Sequence, residues 1–338
     1  MAIKLSICIP TYNRADYLPI AIDSVLEQMS DRVEIVICDN GSVDPTPEVA
    51  ARYCQKHPQI RYFRFEQNVG PDRCFLKSIE IATGEYGWFL GDDDAIEMGS
   101  IKTALKMLDQ HQGVTGISVN RKTYDSSFQK ELSWGPIYPG LLDDRVYRGS
   151  KQCIHELFTY FGYMSGQICS REKWQEVVQS TANIERFFNA YSILAIVVKM
   201  IQRNPYWIYS HHAIVKYRSD NDSFAKELGH YKRFLLDAVG YESLARDLLG
   251  PYTPLYRSCL GQIARTHIQA RLVMIKENKM IKRFVPKAFF VLLPRYFATG
   301  SFWLYNCPVL LMPRFLIPLA RNIFRFGRKF FSALRLSR

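Results

Sequence analysis

Four short apolar runs, separated by stretches of helical spacing, fill the first hundred residues, and each ends in a polar cluster. Ile3 to Ile9 is β-rich and closes at Pro10, followed by Thr11-Tyr12-Asn13-Arg14. Val33 to Cys38 leads into Asp39-Asn40-Gly41-Ser42, and Ile60 to Phe65 leads to Asn68-Val69-Gly70-Pro71. Tyr86 to Leu90 runs through Gly91 into Asp92-Asp93-Asp94. Runs of this length and composition read as buried strands. Between them, residues 16–28, 46–57 and 72–82 carry apolar residues at helical spacing, such as Leu18, Ile22 and Val25. Strands alternating with helices predict right-handed crossovers and a mostly parallel sheet. Ligands of such sheets sit beyond the carboxyl ends of the strands, where residues 11–14, 39–42 and 92–94 all fall.

The triplet is the most chemically loaded of these clusters. Three adjacent carboxylates repel one another, and a hard divalent cation such as Mg²⁺ relieves the repulsion through oxygen ligands. A solvated acidic turn that caps the next helix is the structural alternative.

Further on, residues 101–111 read as a helix and 114–119 as a strand, while 121–149 is loop-rich. Helical spacing returns at 151–163, 171–179 and 185–202. Pro205 to Tyr209 then leads to His211-His212, and 228–282 is helical with breaks. The expected division is an α/β domain over 1–225, a helical extension over 226–282 and a basic tail over 283–338.

Charge is distributed unevenly. From Asn278 to Arg338 there are 12 Lys and Arg and no Asp or Glu, while the rest of the chain is neutral. Phe284 to Leu319 mixes aromatic and aliphatic residues with five prolines and Arg314. A charge and prolines inside the 301–320 window favour lying on a membrane over crossing it. Beyond Leu319, Arg321, Arg325, Arg328, Lys329 and Arg335 fall on one helical face, with Leu319, Ile323, Phe326, Phe330 and Leu334 opposite. That pattern is expected of an amphipathic helix on an anionic membrane. A nucleic-acid partner is not expected, because prolines and long aliphatic runs suit a duplex poorly. The eight cysteines lack metal-ligand spacing, and several lie in apolar runs, as expected of reduced thiols in a cytosol. No basic, apolar leader opens the chain.

As a set, Ser6-Ile7-Cys8-Ile9-Pro10-Thr11-Tyr12-Asn13-Arg14, Ile37-Cys38-Asp39-Asn40-Gly41-Ser42, Asn68-Val69-Gly70, Ala82-Thr83-Gly84-Glu85-Tyr86 and Gly91-Asp92-Asp93-Asp94 resemble the family-two glycosyltransferases. Trp88 to Asp94, with Tyr217-Arg218, Asn221 and Ser223, further resembles bacterial O-antigen transferases of the abequosyltransferase type. The resemblance implies an α/β GT-A fold, a Rossmann-like, mostly parallel sheet flanked by helices, here with a helical, membrane-associating C-terminal region. It implies transfer of a hexosyl or deoxyhexosyl group from a UDP-, CDP- or GDP-linked sugar to a lipid-linked or other surface-polysaccharide acceptor. The place implied is the cytoplasmic face of the plasma membrane, where the chain would be peripheral or monotopic.

Site roles follow from the same resemblance. Pro10, Thr11, Tyr12, Asn13 and Arg14 would line the nucleotide pocket, with Asp39, Asn40, Asn68 and Gly70 beside them. Asp92 and Asp93 would meet the nucleotide sugar, and Arg73 a phosphate oxygen. Mn²⁺ or Mg²⁺ would be held by Asp94 and Asp92, with His212 as a late second ligand and Asp94 the direct one. Asp94 and Asp93 would be catalytic. Relatives often carry Ala-Arg-Asn where this chain has Cys74-Phe75-Leu76. They also carry an acidic pair before a late helix, where only Glu185 is offered here as base, so inverting and retaining chemistry both stay open. A nucleotidyltransferase is the neighbouring alternative, but the Gly-rich loop and Lys expected near its N-terminus are missing. An inactive membrane scaffold is a second alternative, and the intact Asp39 and Asp92 to Asp94 argue against it.

Overall fold

Three of the four apolar runs of the first hundred residues form parallel strands buried along their whole length, which is why they read as unbroken hydrophobic stretches rather than alternating ones, while the third run, at 60–64, lies at the sheet edge with Arg61 and Arg64 exposed. The computed structural model describes residues 2–132, 141–219, 221–278 and 283–318. Contacts group the chain into two compact units, 1–222 and 223–338.

In the first unit, β1 (Leu5–Thr11), α1 (Leu18–Leu26), β2 (Val33–Asp39), α2 (Thr46–Lys56), β3 (Ile60–Arg64), α3 (Pro71–Glu80) and β4 (Tyr86–Phe89) follow in order. Next come β5 (Ala95–Ile96), α4 (Ser100–Gln110), β6 (Gly116–Tyr124), β7 (Glu131–Leu132), β8 (Arg145–Tyr147) and α5 (Ser150–Leu157). The unit ends with β9 (Gln167–Ser170), α6 (Arg171–Ser180), α7 (Ser192–Arg203) and β10 (Trp207–Arg218). The sheet runs β3-β2-β1-β4-β9-β6-β10-β5, with β7 on β6 and β8 on β10. β3, β2, β1 and β4 are parallel, as are β6 and β10. β9 enters antiparallel between β4 and β6.

Three elements differ from the sequence reading. β9 was not expected, because Gln167 and Ser170 make it look polar. Its Gln167 is fully buried and donates from Nε2 to the carbonyls of Tyr160 and Tyr163, both at 3.2 Å. β6 extends to Tyr124, into the stretch expected as loop, since its outer half faces β7 and solvent and carries polar residues. α7 begins at Ser192 rather than near 185, because Asp72 accepts the amides of Ala190 at 2.9 Å and Ser192 at 3.1 Å and so fixes the preceding loop on α3. Residues 133–140, within the stretch expected as loop-rich, lie outside the described residues.

The described residues of the second unit form a succession of helices joined by short turns, over 223–277 and again over 284–316. Thr253 caps the helix Pro254–Ile263 by accepting the Tyr256 amide. Buried Asp237 pairs with Arg233 and Arg271, and buried Glu242 accepts the Tyr256 hydroxyl at 2.8 Å. Residues 283–318 are tied to the helices before them. Tyr296 Oη donates to the Ala238 carbonyl, Asn306 to that of Ala264, and Lys276 Nζ to those of Val309, Leu310 and Met312. By contacts, residues 223–338 group as one unit, within which the sequence reading divides the extension from the tail at 282/283. Among the described residues, no helix is long and apolar enough to cross a membrane. The basic amphipathic stretch beyond Leu319 lies outside the described residues.

One buried carboxylate joins the first two strands to the turn before β4. Glu34 Oε1 accepts the Ser6 hydroxyl and the Thr83 amide, both at 2.6 Å, and Ser6 Oγ in turn accepts the Gly84 amide at 2.9 Å. Replacing Glu34 by Ala removes the acceptor of the buried Ser6 hydroxyl and of the part-buried Thr83 amide, at a cost of about 2 kcal/mol. Thermal denaturation of E34A is expected to show a midpoint lowered by ~5 °C. E34Q, which keeps an acceptor, should lose less.

Candidate active site

The carboxyl ends of β1, β2 and β4 each deliver a polar turn, and the turns are cross-linked. Asn13, held at φ 52°, donates its amide to Ser42 Oγ at 2.9 Å and accepts the Val43 amide at 2.9 Å. The Arg14 amide donates to Thr46 Oγ1 at 2.8 Å. Pro10 and Thr11 sit opposite Cys38 and Asp39 in the β1–β2 register. Asp39 is fully buried. Its Oδ1 accepts the Ser42 amide and its Oδ2 the Tyr62 hydroxyl, both at 2.8 Å, with Arg64 Nε 3.7 Å away. Asp39 therefore holds the β2 turn together first of all. Asn40 Nδ2 donates to Asn68 Oδ1 at 3.0 Å while its Oδ1 accepts the Val69 amide, and Asn68 Oδ1 also accepts the Gly70 amide. Gly41 is required here: its φ is +75°, and a Cβ would lie 2.5 Å from the Gln67 backbone.

The three aspartates have separate environments. Asp94 is buried and turned inward. Its Oδ2 accepts the Ser165 hydroxyl at 2.6 Å and the Tyr163 hydroxyl at 3.0 Å, and its Oδ1 the Arg218 amide at 3.1 Å. Asp92 and Asp93 stay half-buried. Asp92 lies 3.8 Å from Arg14 Nε, which ties the β4 turn to the β1 turn. Asp93 Oδ2 accepts Asn221 Nδ2 at 2.7 Å, and its carbonyl accepts Arg218 Nε at 2.9 Å. Burial, and then the charge of Asp93, pushes Asp92 and Asp94 up to about 7, against the opposing pull of Arg14 on the first and Ser165 on the second. Burial also raises Asp93. Without a counter-charge, the triplet holds protons that an ordinary surface carboxylate would have lost.

Cations stand close by. The Arg121 guanidinium lies between two rings, 4.4 Å from the Tyr163 centroid and 3.6 Å from that of Tyr217, and it feels the charge of Asp94. Its Nε, like Nη2 of Arg218, is buried with no hydrogen-bond partner among the described residues. Such donors, left unpaired beside carboxylates, suit an oxyanion. The oxygen donors of half-buried Asp92 and Asp93, with pKa values raised by burial and mutual repulsion, suit a hard divalent cation.

Three sequence candidates stand elsewhere. Arg73 and Glu185 meet each other in an exposed ion pair at 2.7 Å, with the guanidinium 5.6 Å from the Phe188 ring. His212 sits with His211 and Asp144, within 4.8 Å in ligand atoms. It precedes Arg218, whose amide touches Asp94, by six strand residues. That span is on the order of 15–20 Å, too far for one ion. The sequence reading assigned no role to Tyr163, Ser165 or Arg121. Their only trace is chemical, since a buried carboxylate demands donors from somewhere.

The Glycosyl transferase family 2 model matches residues 6–165. The abequosyltransferase RfbV of Salmonella typhimurium is 30% identical over 266 residues, which is 75% of this chain and 78% of that one. The GalNAc(5)-diNAcBac-PP-undecaprenol beta-1,3-glucosyltransferase of Campylobacter jejuni is 33% identical over 109 residues, 32% of this chain and 35% of that one. In fold, the chain resembles the mannosyltransferase PcManGT of Pyrobaculum calidifontis, solved with GDP-Man and Mn²⁺. The TM-score is 0.54 at 14% identity, covering 92% of this chain and 88% of that one. With strand-end turns closed around an aspartate triplet, a GT-A-like mixed sheet and a similarity that spans most of an abequosyltransferase, the chain belongs to glycosyltransferase family 2.

Proposed function

We propose that the protein transfers a sugar from a UDP-, CDP- or GDP-linked donor to a lipid-linked saccharide at the cytoplasmic face of a membrane. The observation that carries this reading is the gathering of three arginines at the triplet, Arg14 at Asp92, Arg218 at Asp93 and Arg121 near Asp94, the last two with a buried N–H group that has no partner among the described residues. A diphosphate presents the complementary oxygens. Mn²⁺ or Mg²⁺ would be held by Asp92 and Asp93, and when bound it would supply Lewis-acid stabilisation of the departing diphosphate. Asp94 is then a positioning residue: with Tyr163, Ser165 and the Arg218 amide satisfying it, it sets the turn that presents its two neighbours. The turns carrying Thr11 to Arg14 and Asp39 to Ser42 form the floor for the nucleoside.

The membrane part of the reading rests on the second unit. Phe290, Leu304, Leu311 and Phe315 are each more than 70% exposed, in a segment without acidic residues. Exposed aromatic and aliphatic side chains among Lys and Arg suit an anionic lipid surface. The lipid-linked acceptor is in keeping with the undecaprenol-linked substrate named for the Campylobacter relative.

Three measurements test this. Turnover of UDP-, CDP- and GDP-sugars with Mn²⁺ should appear for at least one donor, and D92N and D93N should each lower its kcat/KM by about a hundredfold or more. No nucleotide binding across that panel overturns the proposal. Secondly, a raised carboxyl pKa means the folded state binds protons that the unfolded state has released. In EDTA, stability should therefore fall as pH rises through the window from the ordinary carboxylate range to about 7. Mn²⁺ binds the deprotonated form, so its stabilisation should grow from pH 6 to pH 8, and D92N should flatten both trends. Finally, the full chain should float with phosphatidylglycerol vesicles and not with phosphatidylcholine ones, and L304E/F315E should reduce flotation while leaving nucleotide binding unchanged.

A further inference from the structure

His211 and His212 are neighbours in β10, where consecutive side chains ordinarily point to opposite faces. Here they do not. The register with β6 passes from Ser210–Val119 to Ala213–Asn120, so both histidines bulge out of the ladder, and a second shift follows between Ala213 and Val215. The bulge brings the two rings to a centroid distance of 4.3 Å, tilted by 34°. Asp144, just before β8, closes the group. Its Oδ1 accepts the His211 amide at 2.8 Å, Ser210 Oγ at 3.1 Å and His211 Nδ1 at 2.6 Å. One ligand atom from each of Asp144, His211 and His212 lies within 4.8 Å of the others. A bulge that re-aims side chains is a built feature of a strand rather than a packing accident.

We propose that Asp144, His211 and His212 form a second metal site, separate from the aspartate triplet, that takes a borderline divalent cation of the Zn²⁺ class. The donor sets divide the two. The triplet offers only carboxylate oxygens, which suit Mg²⁺ and Mn²⁺, whereas two imidazoles and one carboxylate suit Zn²⁺ with a fourth position open to solvent. The site lies at the surface, with the Asp144 and His211 side chains 48% and 42% exposed, so an ion has access. Binding exchanges the His211–Asp144 hydrogen bond for two bonds to the ion and links the segment before β8 to the bulge of β10. His211 also lines a cavity of about 320 Å³ with Asn120, Arg121 and Ala213.

The test uses the untagged full chain, stripped with EDTA and returned to a buffer with excess Mg²⁺, titrated calorimetrically with ZnCl₂. Wild type is expected to bind one more equivalent of Zn²⁺ than H211Q/H212Q. H212Q, which keeps the His211–Asp144 bond and so preserves the bulge, should weaken that equivalent by about tenfold or more. D92N/D93N should retain it, which separates this proposal from the one for the triplet. Replacing Zn²⁺ by Co²⁺ should give the intense visible absorption of a tetrahedral ion in wild type and not in H212Q. Equal Zn²⁺ binding by wild type and H212Q, or loss of the equivalent in D92N/D93N alone, overturns the proposal.

Discussion

Burying Asp94 and half-burying its two neighbours is the costly act around which the first unit is arranged. An ionised carboxylate that leaves water without partners costs several kcal/mol. Here the cost is divided among elements far apart in sequence. Asp94 draws on Tyr163, Ser165 and the end of β10, Asp93 on Asn221 and Asp92 on Arg14. The hydrogen bonds do not finish the work, since all three groups still have raised pKa values. The residual repulsion is what a bound cation would relieve, and it is stored in a turn held rigid from three sides.

β10 is the element that makes this arrangement possible. It runs parallel to β6 for nine register pairs, holds β5 on its outer side at Val215 and Lys216, and ends with Arg218 against the triplet. The chain leaves the triplet directly into β5, so the same strand fixes both the side chains of the turn and the segment that follows it. Arg218 does this with backbone and side chain together, its amide on Asp94 and its Nε on the Asp93 carbonyl. Lys at that position has no planar fork and could not reproduce both the contact and the stack over Phe128, 4.1 Å away.

The N-terminal strands and helices were legible in the sequence because a parallel strand covered on both faces shows itself as an apolar run, and the turn after it as a polar cluster. The convergence of residues 11–14, 39–42 and 92–94 followed from topology alone. β9 was not legible, since a four-residue strand buried beside Trp88 and Ser118 is specified by its neighbours and not by its own pattern. The role of Asp94 was not legible either. Spacing cannot say which of three adjacent carboxylates turns inward; that depends on Tyr163 and Ser165, some seventy residues away. Arg73 and Glu185, read separately as a phosphate contact and a base, face each other instead, because the loop before α7 folds back over α3.

His212 shows the same limit in a sharper form. An adjacent histidine pair on a strand implies that one ring faces in and one faces out, and the family resemblance pointed one of them at the triplet. Two unpaired residues in the β6–β10 ladder undo that inference by turning both rings the same way. The bulge is invisible in the sequence because it is a property of the pairing, in which β6 advances one residue while β10 advances three. Its consequence is a separation of donor chemistries along one strand. Imidazole nitrogens collect at the bulge beside Asp144, while the end of the strand at Arg218 meets the Asp94 carboxylate and the Asp93 carbonyl. A strand that is regular at its ends and irregular in the middle can thus serve two sites without mixing their ligands, and that separation lets hard and borderline cations be told apart by position.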